Sequence, residues 1–100
     1  MANLIPIVRR SYDLCADVYQ HVNRFPRAQR SLLGRVVIED ALEMLTLLTV
    51  ANRRAQKAAG LAEASGRLDA LRITLRLSER LGYLSHGGYA ALTEVADEGP

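Results

Sequence analysis

The sequence predicts an all-α protein, an antiparallel four-helix bundle, on three observations. Apolar residues recur at three- and four-residue spacing along nearly the whole chain. Alternating strand patterns and sheet-type turns are missing. Short links rich in glycine, proline and serine separate four helical segments, at about residues 8–22, 26–57, 61–81 and 85–97. With 100 residues, 49% of them hydrophobic and 24% charged, the chain has material for one modest core and so for a single domain.

Helix one takes its stripe from Tyr12, Cys15, Val18, Tyr19 and Val22, with Asp13 and Asp17 lying off it. The chain then turns through "NRFP". Helix two starts near Pro26, whose fixed φ and missing N–H cost nothing at a first helical position. It continues to about Lys57, and "KAAG" supplies a stop at Gly60. Its internal Gly34, which otherwise costs about 1 kcal/mol, is expected to let a neighbouring helix approach closely. Helix three stops at Gly82. Ser85 caps the last helix, "SHGGYAALTEVADE", whose Gly87 and Gly88 weaken its first turn by roughly 1 kcal/mol each relative to alanine.

Around helix two, at about 100° per residue, the apolar residues from Leu33 to Ala51 spread over roughly 240°, interrupted only by Asp40. A helix packed on one side of a bundle needs an apolar stripe of about 100° or a little more. The excess predicts a subunit interface carrying Val36, Ile38, Leu42 and Leu47; the alternative is a central helix that touches two neighbours within the monomer.

Charge is distributed unevenly. Twelve of the thirteen basic residues are arginine, and Glu94, Asp97 and Glu98 gather three of the eleven acids at the end, so residues 1–93 carry 13 basic against 8 acidic groups. A basic body favours anionic partners, nucleic acid foremost, although a GC-rich or thermophilic source gives the same arginine preference without a ligand. On helix three Arg72, Arg76 and Arg80 form a ladder at four-residue spacing, partly offset by Asp69 and Glu79. Guanidinium groups hold phosphates through paired hydrogen bonds, so the ladder is a candidate track for a nucleic-acid backbone, against the alternative of a solvated, salt-bridged face. Arg27 and Arg30 stand at the start of helix two, where the helix dipole disfavours cations, and are candidates for an anion site or for carboxylates of a neighbouring subunit. Arg53, Arg54 and Lys57 close helix two, as caps or as a further basic patch. Arg24 complements the end of helix one, and Arg35 pairs with Glu39 one turn on.

Catalysis finds little support, and no catalytic residue, metal ligand or cofactor is assigned. His21 and His86 have no carboxylate or nucleophile at a spacing that makes a dyad. Cys15, the lone cysteine, lies on an apolar stripe, forms no intrachain disulfide and suits a reducing cytosol. The N-terminus reads as no signal segment, and no apolar run approaches the ~18 residues of a membrane span, so a cytoplasmic protein away from the membrane is expected. "RLGYLSH" separates Arg80 from His86 by five residues and resembles the arginine-to-histidine signature of the HEPN ribonucleases, also small helical bundles; that enzyme reading ranks below the others.

A wider resemblance covers about residues 12–92. "FPRAQRSLLGRV", "ALEMLTLLTVANRR" and "ASGRLDALRITLRLSERLGYLSHGGYAAL" are similar to the Avd proteins, accessory variability determinants of diversity-generating retroelements. These belong to a four-helix group that includes proteins encoded in 23S rRNA intervening sequences; Phe25-Pro26-Arg27 with Gln29-Arg30 and Leu33-Gly34 favours the Avd branch. The resemblance implies a ring of subunits, a homopentamer with a basic outer surface, that associates with the element's reverse transcriptase and template RNA and supports mutagenic cDNA synthesis without catalysing it. Family members carry a longer last helix and an apolar tail after the position of Glu98, where this sequence reads "EGP". The expected function is therefore that of a non-enzymatic, homo-oligomeric accessory protein, with Arg27, Arg30, Arg53, Arg54, Arg72, Arg76 and Arg80 holding phosphates or acidic patches. The alternatives are an intervening-sequence-type bundle and a helical adaptor that binds protein only.

Overall fold

The computed structural model of the chain describes residues 3–55 and 57–97. These form four long helices and a single-turn helix: α1 (Ile5–Val22), α2 (Arg27–Arg30), α3 (Leu33–Asn52), α4 (Ala58–Arg80) and α5 (His86–Asp97), with no strand among the described residues. α3 packs against both α1 and α4, and α5 closes the other side by lying against the same two helices. Leu4 faces Asn52, Cys15 faces Ala41 and Val22 faces Gly34, so α1 and α3 run antiparallel in one constant register. Ala51 against Gly60 and Asp40 beside Arg67 set the antiparallel register of α3 and α4. The all-α, four-helix expectation holds.

α1 begins a turn before the predicted Val8. Pro6 falls in its first turn, where no intrahelical N–H is missed, and buried Leu4 donates its N–H to Asn52 Oδ1 at 3.0 Å. The buried stripe is Ser11, Leu14, Cys15, Val18 and Val22. Tyr12 and Tyr19, expected on that stripe, stand exposed on its flank, because Leu14 and Ser11 turn the core-facing side away from them.

The predicted helix over 26–57 is two helices. Pro26 is the N-cap of α2, one residue outside the helix, and accepts from the N–H groups of Gln29 and Arg30. Leu32, at φ −105° and ψ −102°, leaves the helical region and breaks the run. The break seats Gly34 under the end of α1: a Cβ there would come 2.7 Å from Val22 Cγ1 and 3.5 Å from the Phe25 ring, which is itself buried and lies 6.0 Å from that of Tyr83. The close approach expected at Gly34 is therefore present. α3 also ends earlier, at Asn52, and Lys57 reaches back from the link to donate Nζ to the carbonyls of Asn52 (3.0 Å) and Arg54 (2.8 Å). Gln56, inside the predicted span, lies outside the described residues.

Gly60 is not a stop. It sits in the first turn of α4, and its missing Cβ would lie 2.7 Å from Ala51 Cβ, so it marks a helix crossing, where a close approach excludes a side chain. Gly82, by contrast, ends α4 as predicted, at φ +80°. Its N–H reaches the Glu79 carbonyl at 3.0 Å and that of Tyr83 reaches Ser78 at 2.9 Å, the paired bonds of a Schellman motif. Ser85 caps α5 by accepting from the Gly88 N–H at 2.9 Å. The final "EGP", with Glu98, lies outside the described residues.

The core joins Leu14, Val18 and Val22 of α1 to Val37, Ala41, Met44 and Leu48 of α3, Leu71 and Leu75 of α4, and Leu92 of α5. Burying each of the larger side chains contributes on the order of 1.5–3 kcal/mol relative to exposure.

Candidate nucleic-acid interface

The arginines divide by what already holds them. Arg35 pairs with Glu39 at 2.9 Å, as predicted, but both are well exposed, which leaves the pair worth little. Arg72 pairs with Asp69 at 3.3 Å. Glu79, expected to offset the ladder, instead accepts from His86 Nδ1 at 2.6 Å across the α4–α5 turn. Arg76 and Arg80 are exposed and make no ion pair among the described residues. With Ile73, Leu77 and Glu79 they line a shallow groove on the outer face of α4.

Arg27 and Arg30 need a different account from the one the sequence suggested. The break at Leu32 leaves α2 a single turn, so the two arginines precede α3 and do not stand in the first turn of a long helix. Arg30 donates Nε to the Phe25 carbonyl at 3.1 Å and so stabilises the turn that starts α2. Arg27 is exposed beside it. At the far end of α3, Arg53 is the C-cap and Arg54 follows it, both exposed, and their backbone N–H groups close the last turn on Val50 and Ala51. The seven predicted arginines thus fall on three separate regions: the α2 turn, the α3–α4 link and the outer face of α4.

Sequence reading missed Arg67. It joins α4 to α3 by lying 3.8 Å from Asp40 and 3.5 Å from Glu43. This explains the one acid in the apolar arc of helix two. Asp40 faces α4, where burial raises its pKa, while Arg67 and the Thr74 hydroxyl pull the other way and Glu39 and Glu43 add to the rise. No spacing within either helix reveals such a pair, because its partners are brought together by the α3–α4 crossing alone.

The four residues predicted for an oligomer contact do not share a face. Val36 and Leu42 are exposed, whereas Ile38 and Leu47 are partly buried against the core. At about 100° per residue, Val36 and Leu47 turn toward α4 and Ile38 and Leu42 toward α1, with the core between them. On α4, Ile73, Leu77 and Leu81 are also exposed, one turn apart from each other.

Other chemistry is sparse. Cys15 donates its Sγ–H to the Ala41 carbonyl at 3.2 Å, and burial pushes its pKa up to about 11, so the thiolate is disfavoured. His21 donates Nδ1–H to the Asp17 carbonyl at 2.8 Å. Arg80 and His86 end α4 and begin α5, on either side of one turn. Among the described residues no three His, Cys, Asp or Glu side chains group as a metal site, and no helix is long and apolar enough to cross a membrane. A cavity of about 90 Å³ opens at the end of the bundle away from α2, between Leu14, Met44, Leu61, Ala64 and Val95. No protein-family model matches the chain, and a search of curated proteins finds no relative.

Proposed function

We propose that the protein is a non-catalytic accessory protein that binds RNA and a polymerase through its basic surface. The resemblance to the Avd family names the partners, the reverse transcriptase and template RNA of a diversity-generating retroelement. One observation carries the reading: Arg76 and Arg80 stand exposed on α4 while the nearby carboxylates are engaged elsewhere, Asp69 by Arg72 and Glu79 by His86. Cations without an ion-pair partner among the described residues suit phosphates or an acidic surface. In this reading the subunits assemble into a ring, five in the family, and repeated copies of a weak site add up by avidity.

The test is binding of template RNA and of the reverse transcriptase over a range of salt. The phosphate-driven complex weakens by orders of magnitude between low and moderate salt, and Arg72→Gln/Arg76→Gln/Arg80→Gln lowers both the affinity and the salt slope. Unchanged binding by the triple variant would make the ladder a solvated face. A second reading, the protein-only helical adaptor, is favoured by the exposed Ile73, Leu77 and Leu81 beside the same arginines. An apolar helix-in-groove complex is insensitive to salt, which separates the two. A reverse transcriptase gene and a template repeat beside this one support the Avd branch; a position inside a ribosomal RNA gene moves the protein to the intervening-sequence branch.

A further inference from the structure

The flank formed by α1 and α3 holds a feature that neither the core nor the arginine ladder uses. Tyr12 and Tyr19 are 67% and 50% exposed. Seven residues apart, they occupy one face of α1, separated by about 10 Å along its axis. Beside Tyr19 runs a shallow groove lined by Gln20, Asn23, Arg30 and Ile38. Each of these groups suits an unpaired nucleotide. The phenol ring offers a stacking surface, the two side-chain amides offer donors and acceptors for a base edge, and Ile38 supplies an apolar wall. Arg30 spends its Nε on the Phe25 carbonyl, which orients the guanidinium and leaves its terminal nitrogens for a phosphate.

Charge agrees with that occupant. Among the described residues no carboxylate lines the groove. The acids of α1, Asp13 and Asp17, lie about 100° or more around the helix from the tyrosines, and Glu39 on α3 is tied to Arg35. Bases in a duplex are stacked on one another and present no free faces, so the aromatic pair selects a single strand. The rings lie further apart than the ~3.4 Å between stacked bases, so the strand they accept is splayed.

We propose that this flank binds single-stranded RNA, with one base stacked on Tyr19 in the groove, its phosphate against Arg30, and another base stacked on Tyr12. The inference rests on the RNA-binding reading above and adds the site and the form of the strand.

Tyrosine emission provides a direct readout, because the chain has no tryptophan and four tyrosines. In a Tyr83→Phe/Tyr89→Phe protein, short oligouridine quenches the emission of Tyr12 and Tyr19, and duplex RNA of the same length does not. In anisotropy titrations Tyr12→Ala and Tyr19→Ala each weaken oligouridine binding about tenfold, while the phenylalanine variants retain it. Alanine variants that bind oligouridine as the wild type does, in a protein whose binding still depends on Arg76 and Arg80, overturn this inference and leave the RNA reading standing. A wild type that binds neither form of RNA removes both. A fall in sedimentation mass on Tyr19→Ala assigns the flank to contact between copies and also overturns it. If an alanine variant fails to fold, the quench decides alone: saturation with oligouridine without quenching rejects the site.

Discussion

Asp40 shows how one side chain is read differently by sequence and by structure. In the sequence it is a charge interrupting an apolar arc; in the fold it is the α3 end of a contact with Arg67 and Thr74 across the helix crossing. Desolvation raises its pKa, so the folded protein holds the proton more tightly than the unfolded chain does. Stability then falls as pH rises from the ordinary aspartate value of 3.8 through the raised folded value, and Asp40 adds no further pH dependence above it. Urea unfolding of the wild type and of Asp40→Asn across that interval checks the sign. Relative to Asp40→Asn, the wild type loses stability with increasing pH; a gain would mean that the attraction of Arg67 outweighs burial. Arg30 illustrates the same limit of legibility. Its charge and position were visible, but its role in bonding the Phe25 carbonyl depends on a backbone turn that spacing does not reveal.

Among the elements, the helix ends set by local chemistry were legible and those set by packing were not. Gly82 with its positive φ and Ser85 with its capping hydroxyl satisfy helix ends using residues within a few positions, and both were read correctly. The break at Leu32 and the glycine at 60 belong to contacts with residues distant in sequence. Gly34 meets Val22 and Phe25, and Gly60 meets Ala51. A glycine that admits a neighbouring helix looks in sequence like one that ends its own, which is how Gly60 became a stop. α4 contains the control for this argument, because Gly66 has nothing within 4 Å of where its Cβ would lie. Gly66→Ala therefore stabilises the protein by about 1 kcal/mol through helix propensity. Gly60→Ala gains the same propensity but drives its methyl to 2.7 Å from Ala51 Cβ, an atom with no rotamer to escape into. Backbone displacement there costs about 1–3 kcal/mol and more than cancels the gain. Chemical denaturation of the two variants gives opposite shifts in midpoint; equal shifts would remove the close crossing of α3 and α4.

For the whole molecule, the breadth of the apolar arc of α3 was legible and its use was not: α1 and α4 take up most of it within the monomer, as in the alternative reading, and Val36, Leu42 and Val50 stay exposed. A wheel records how wide the arc is, while the helix crossings decide which part of it is covered. On α4, Ile73, Leu77 and Leu81 stand exposed at four-residue spacing beside Arg76 and Arg80. A contiguous exposed apolar strip is costly to leave in water and marks a surface for association. If copies assemble through it, charge placed there disrupts assembly without disturbing the fold, because none of these side chains belongs to the buried core. Leu77→Glu/Leu81→Glu is therefore expected to lower the sedimentation mass toward that of the 11.0 kDa monomer. Its helical circular dichroism is retained and its unfolding free energy stays within about 0.5 kcal/mol of the wild type, as for other surface substitutions. The wild-type mass separates two geometries. A strip that pairs with itself stops at a dimer, whereas a ring requires this strip to meet a second, unlike patch on the next copy. A wild-type mass that matches the monomer would overturn assembly through this strip.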